Sequence, residues 1–218
     1  MRFFIITIFP DIFSSYLNKS IIGRAIKSKL ISVKFYNPRD FIKGSKSNYK
    51  PVDDKPYGGG PGMVMRAEPL LKAVAKVLSL SKGKNKKILV INFIPSAEKL
   101  TTAFAKKISK RYTDIILICG RYEGIDARVD KILKTKKLSV GNYVLTGGEI
   151  PAMVLIDCVS RQIPGVLGKY ESLEEERVST SEVYTRPEKL VYKGKSYKVP
   201  KVLLSGNHKK IEEWTKKK

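Results

Sequence analysis

Apolar residues fall into strand-length runs separated by segments with helical spacing. Phe3 to Phe9 is a nearly unbroken apolar run, as expected of a strand buried on both faces. Ile31 to Tyr36, Lys87 to Phe93 and Asp114 to Cys119 read as further strands, and Asn37-Pro38 ends the first of these. Between the strands, Asp11 and Ser20 are placed to cap short helices ending at Leu17 and Leu30. Ala67 to Leu80 predicts an amphipathic helix, Ser96 is placed to cap one running to about Lys110, and a short helix ends at Leu133. A last strand then leads into a long apolar helix from Ile150 to about Gln162. Strands alternating with helices predict an α/β domain around a mainly parallel sheet. No internal repeat is visible.

Ligands of such sheets bind beyond the carboxyl ends of the strands, which singles out the loops at Pro95, Gly120 and Gly141. The third lies in Ser139 to Ala152, which passes from strand to loop to helix. Gly141, Gly147 and Gly148 lack a Cβ and admit close backbone approach, and Glu149 suits the first turn of the following helix. A second unusual stretch, Val52 to Met63, carries Asp53, Asp54, Tyr57, Gly58, Gly59 and Gly60 in a long polar loop. Long loops without secondary structure are more often binding segments than idle surface.

Composition narrows the ligand. Lysine and arginine number 43 against 20 acidic residues, a formal charge of +23. That excess fits a polyanion, nucleic acid before membrane lipid, although a compositionally biased genome also raises lysine. The two cysteines, Cys119 and Cys158, are too few for a disulfide scaffold or a closed metal site. His208 is the sole histidine, which excludes histidine triads and multi-histidine metal sites. The amino-terminal apolar run stops at Pro10, so the sequence reads as a soluble, reduced cytoplasmic protein with no membrane partner. The dinucleotide, phosphate-loop and nucleophile-elbow fingerprints are absent. The candidate loops offer backbone amides and the apolar residues Ile94, Val140, Tyr143 and Leu145, a lining suited to adenosine with a compact charged tail.

The stretches PRDF (38–41), VDDKPYGGGPGM (52–63), CGRYEGID (119–126), SVGNYVLTGGEIPAM (139–153), SRQIPGVLG (160–168), YTRPE (184–188) and VLLSGNH (202–208) resemble those of bacterial tRNA (guanine-N1)-methyltransferases, in the same order. The resemblance covers most of the chain. It implies a SPOUT-type α/β fold with a deep trefoil knot in residues 1–168, an acidic linker at 169–183 and a shortened, basic, mainly helical tRNA-binding domain at 184–218. It further implies S-adenosylmethionine as cofactor, a homodimer with active sites between subunits, and the guanine at tRNA position 37 as target. Pro95, Gly120, Tyr122, Glu123, Val140, Gly141, Asn142, Tyr143, Val144, Leu145, Gly147 and Gly148 would hold the cofactor. Asp53, Tyr57, Gly58, Gly59, Arg186 and His208 would meet the tRNA. Arg161 would be the catalytic guanidinium and Glu176 the general base, with Glu174 and Glu175 as alternatives to it. Asn142 replaces the family's usual aspartate, removing a charge near the cofactor's ammonium or an associated Mg²⁺. Two competing readings remain open: a SPOUT-like enzyme for another RNA position, and an RNA-binding protein without catalysis.

Overall fold

The structure, a computed structural model, describes residues 1–42, 50–81, 83, 86–167 and 182–216. It divides into two units, Met1–Val166 and Leu167–Lys218. The first contains strands β1 (Arg2–Ile6), β2 (Ser32–Tyr36), β3 (Asp53–Asp54), β4 (Val64–Met65), β5 (Ile88–Phe93), β6 (Asp114–Ile118) and β7 (Lys136–Leu138). Its helices are α1 (Ser14–Leu17), α2 (Ser20–Lys27), α3 (Ala67–Leu80), α4 (Thr102–Arg111), α5 (Ala127–Leu133) and α6 (Glu149–Ser160), with 3-10 turns at Pro10–Phe13 and Pro38–Phe41.

The central sheet has five strands in the order β2-β1-β6-β5-β7, every neighbouring pair parallel. Successive strand side chains point to opposite faces, so two apolar layers form from one set of strands. Phe3, Ile5, Ile115 and Leu117 pack against α4 and α6 through Ala105, Ile108, Leu155 and Val159. Phe4, Ile6, Ile116 and Ile118 pack against α3 and α5 through Leu70, Val74, Val77 and Val129. Burial on both faces explains the continuous apolar runs.

Several boundaries depart from the sequence expectation. β1 stops at Ile6 because the Thr7 hydroxyl accepts the Phe9 amide at 3.0 Å and turns the chain before Pro10. Ser20 and Asp11 cap nothing; Ser20 is already inside α2, and the residues preceding each helix make no side-chain cap bond. Thr101, not Ser96, caps α4, accepting the Phe104 amide at 3.1 Å. The Ser96 side of that loop is held elsewhere: Ser139 donates to the Glu98 carbonyl at 2.8 Å, and Leu100 donates to the Ser139 carbonyl at 2.7 Å. The polar loop before Met63 is closed at its base by the antiparallel ribbon β3–β4.

The second unit contains β8 (Lys189–Tyr192) and β9 (Lys195–Lys198), an antiparallel hairpin, followed by α7 (Lys201–Leu204) and α8 (His208–Lys216). The expectation of a mainly helical domain omitted this hairpin. Lys193 and Gly194, both with positive φ, form its two-residue turn.

One ion pair anchors β1 to β6. Arg2 donates to the buried Asp114 carboxylate, one bond at 2.8 Å, and Thr113 Oγ1 adds another at 3.1 Å. Burial alone would push this carboxyl up, but the hydrogen bonds and the guanidinium charge hold it below the usual range. A depressed folded-state value contributes stability above the ordinary carboxylate pKa, and that contribution is lost as pH falls through the folded value. Arg2→Met leaves a buried charge without its partner and is expected to cost about 3 kcal/mol, read by urea denaturation at neutral pH. The difference between Arg2→Met and parent should shrink when both are unfolded near pH 3.

Candidate active site

The parallel arrangement brings the carboxyl ends of β1, β5, β6 and β7 to one side of the sheet. A cavity of about 430 Å³ opens there. Ile94 and Pro95 after β5, Gly120 to Ile125 after β6, and Ser139, Val140 and Tyr143 to Gly148 after β7 form its walls. Exposed Tyr122, Tyr143 and Val144 give it an apolar rim. Its polar end is a small network: Asp130 accepts from Asn92 Nδ2 at 3.0 Å and Thr135 Oγ1 at 2.5 Å, with Lys137 Nζ at 3.3 Å.

The segment after β7 crosses from the sheet edge back to the end of β6. It passes the loop before α4 through the Ser139 bonds and ends where Gly148 donates to the Gly120 carbonyl at 2.9 Å. A Cβ on Gly148 would lie 2.6 Å from Cys119 Cα and 2.9 Å from the Gly120 nitrogen. Those are backbone atoms, so only glycine permits this crossing.

Glu149 begins α6 and is buried beneath the crossing. It accepts from Thr7 Oγ1 at 2.8 Å and meets Arg121 Nε at 2.9 Å, a close charge contact without the alignment of a hydrogen bond. Arg121 also donates to the Thr146 carbonyl at 3.3 Å and lies 4.8 Å over the Phe9 ring. Burial, aided by the Glu149 charge, pushes the neighbouring Cys119 thiol well up, so Cys119 is a packing residue rather than a nucleophile.

The glycine-rich loop joins the cavity wall from outside. Glu123 donates to Met63 O at 3.0 Å, Met65 donates to Gly124 O at 2.9 Å, and Asp126 donates to Met65 O at 2.9 Å. The base of that loop therefore runs along residues 123–126. Asp53 sits in the ribbon paired with Met65; Tyr57 is 99% exposed beside Gly58 and Gly59, both at positive φ.

Of the residues expected to hold a cofactor, Pro95, Gly120, Tyr122, Glu123, Val140, Tyr143, Val144, Leu145, Gly147 and Gly148 line the cavity. Gly141 and Asn142 are not in its wall. The Tyr143 ring folds back over Gly141, and Ser139 Oγ accepts the Gly141 amide, so Gly141 is held in a tight local turn. Arg161 caps the carboxyl end of α6, away from the cavity; twelve helical residues separate it from Gly148, roughly 18 Å of rise. Arg186 lies before the hairpin of the second unit, and His208 opens α8, both exposed. Glu176, like Glu174 and Glu175, lies outside the described residues. Sequence reasoning missed Thr7, Arg121, Asn92 and Asp130. The available signal for Arg121 was a charge three residues beyond the end of a fully buried strand.

A family model described as tRNA (Guanine-1)-methyltransferase TrmD matches residues 1–218. The chain belongs to this family. A tRNA (guanine-N(1)-)-methyltransferase of Clostridioides difficile (strain 630) is 45% identical over 218 residues, covering 98% of this chain and 90% of the relative. One from Buchnera aphidicola subsp. Acyrthosiphon pisum (strain APS) is 46% identical over 216 residues, covering 97% and 86%. Among solved structures, the crystal structure of tRNA (m1G37) methyltransferase from Aquifex aeolicus matches with a TM-score of 0.77 at 41% identity, over 98% of this chain and 87% of that one. Membership of the tRNA (guanine-N1)-methyltransferase family thus rests on matches along the whole chain and not on the cavity motifs alone.

Proposed function

We propose that this protein methylates N1 of the guanine at position 37 of tRNA, with S-adenosylmethionine as methyl donor bound in the cavity at the strand ends. The observation that carries this reading is the cavity itself, built jointly by the loops after β5, β6 and β7. Its volume of about 430 Å³ suits a nucleoside with a short charged tail, and the Gly148 crossing leaves backbone where side chains would fill the space. The bound donor supplies an electrophilic sulfonium methyl. Pro95, Val140, Tyr143 and Leu145 offer apolar walls for its adenosine, and the last three also backbone amides, while Tyr122 and Glu123 stand at the other wall.

Guanine N1 carries a proton at neutral pH, and negative charge grows on O6 as that proton leaves. A carboxylate accepts the proton and a guanidinium offsets the charge. Arg161 takes the second role in this reading and Glu176 the first. Single-turnover methylation by Glu174→Ala, Glu175→Ala and Glu176→Ala tests the base: the slow variant identifies it, and a near-normal rate in Glu176→Ala removes that assignment.

The distance between Arg161 and the cavity supports a homodimer, because the guanidinium then reaches the cavity of another subunit. Ile150, Val154, Asp157 and Arg161 recur on one stripe of α6, beside the exposed apolar residues Phe9, Ile12 and Tyr16. A second copy would cover this face. We also infer that the crossing of residues 139–148 past the loop 94–101 is the expected trefoil knot. Asp53, Tyr57, Gly58, Gly59, Arg186 and His208 are assigned to tRNA, with exposed Tyr57 suited to stacking on a base. A tRNA substrate assigns the protein to the cytoplasm in this reading; no described helix is long and apolar enough to cross a membrane.

Methyl incorporation into tRNA transcripts tests the proposal. Transfer to a transcript with guanine at position 37, and none when that base is replaced, is the expected result. Incorporation that ignores the replacement overturns the target assignment.

A further inference from the structure

The Arg121–Glu149 pair joins three distant parts of the chain directly beneath the cavity wall. On the β1 side, Thr7 Oγ1 donates to Glu149 Oε1 at 2.8 Å while accepting the Phe9 amide at 3.0 Å, and the Phe9 ring lies 4.8 Å from the Arg121 guanidinium carbon. On the β6 side, Arg121 follows Gly120 and is itself part of the wall. On the side of the crossing segment, Arg121 donates to the Thr146 carbonyl at 3.3 Å, and Glu149 follows Gly148. A Cβ at Gly147 would lie 2.4 Å from Arg121 Nε and 2.7 Å from Glu149 Oε2, so the ion pair fills the space under Gly147.

Such a pair is a costly way to fill a core. Glu149 is 1% exposed, and a buried ion pair generally adds little net stability over apolar packing of equal volume. What the pair provides is direction. The planar guanidinium donates to the Thr146 carbonyl and lies over the Phe9 ring while its charge sits against Glu149, a combination that a lysine ammonium does not reproduce. Thr146, Gly147 and Gly148 all line the cavity.

We propose that Arg121 is a positioning residue which, together with Glu149, holds the Thr146–Gly148 wall in the shape that receives S-adenosylmethionine. The role rests on the reading of this cavity as the cofactor site. It is separate from the catalytic roles of Arg161 and Glu176, and it concerns cofactor affinity rather than the methyl-transfer step.

The test uses the full chain and calorimetric titration with S-adenosylmethionine, beside thermal denaturation. Arg121→Lys keeps a cation for Glu149 but loses the Thr146 carbonyl bond and the stacking on Phe9. Its Tm is expected within a few degrees of the parent, with Kd raised about tenfold or more, which is about 1.4 kcal/mol per tenfold step. In turnover, KM for the donor rises while kcat at saturation stays within about threefold. Should Arg121→Lys fail to fold, Thr7→Val severs the second tether of Glu149 from outside the cavity and is expected to weaken binding about threefold. Affinity unchanged within twofold in the folded variant overturns the positioning role, whatever happens to Tm. Failure of the parent to bind S-adenosylmethionine instead overturns the reading of the cavity, so the two failures are distinct.

Discussion

Gly148→Ala is expected to abolish useful cofactor binding. The added methyl would sit 2.6 Å from Cys119 Cα, and neither partner in that contact is a flexible side chain. Cys119 continues directly from β6, between strands paired on both sides. The crossing segment must therefore move instead. Overpacking of this kind costs about 1–3 kcal/mol, and the upper end of that range corresponds to about a hundredfold in affinity if the displaced segment must return before the ligand binds. Titration of the purified variant with S-adenosylmethionine measures the loss, and denaturation separates it from unfolding. Binding within threefold of the parent would show that the crossing is not the cradle.

Arg161→Ala is expected to behave in the opposite way. Its position at the far end of α6, roughly 18 Å from the Gly148 end, removes it from the cavity of its own chain. Cofactor affinity should therefore stay within twofold, while the single-turnover methylation rate falls by on the order of 10²–10³, the usual loss when one stabilising donor is removed. The dimer reading adds a sharper consequence. Mixed dimers of Arg161→Ala with a cavity-dead Gly148→Ala partner contain one site with an intact cavity and an intact guanidinium, so activity should return on mixing two inactive variants. Absence of any recovery, with mixed dimers present, would place Arg161 and the cavity in the same subunit's site or remove Arg161 from catalysis.

The centre of the sheet was legible because β1 and β6 are buried on both faces and therefore read as apolar runs, whereas the edge strands β2 and β7 carry exposed residues. The helix at Ala67–Leu80 was legible for the complementary reason: one stripe, led by Leu70, Val74 and Val77, faces the core. Local cap chemistry failed where tertiary contacts overruled it. Ser96 is a good capping residue, but the chain from Ile94 to Leu100 is committed to Leu138 and Ser139, and α4 starts only after Thr101. The hairpin at Lys189–Lys198 is built from exposed residues, so no burial pattern marked it, and Lys193-Gly194 was its only local signal.

Within the candidate site, glycines and post-strand loops identified the cavity wall, since backbone approach leaves a compositional trace. Gly141 shares that trace for a local reason as well, since its amide is taken by Ser139 Oγ and the Tyr143 ring packs over it. Arg121, Glu149 and Thr7 left no such trace. Their partnership depends on a contact 142 residues apart in sequence, Thr7 with Glu149, and nothing local encodes it. The path of residues 139–148 past the loop before α4 is likewise a property of long-range threading.

The central claim is transfer of a methyl group to guanine N1, and the identity of the product nucleoside tests it most directly. tRNA labelled by this protein from S-adenosylmethionine is digested to nucleosides and resolved by mass spectrometry. The account predicts that the label appears as 1-methylguanosine, in the fragment that carries position 37. Label in another methylated nucleoside, or in 1-methylguanosine from a different part of the tRNA, would contradict it.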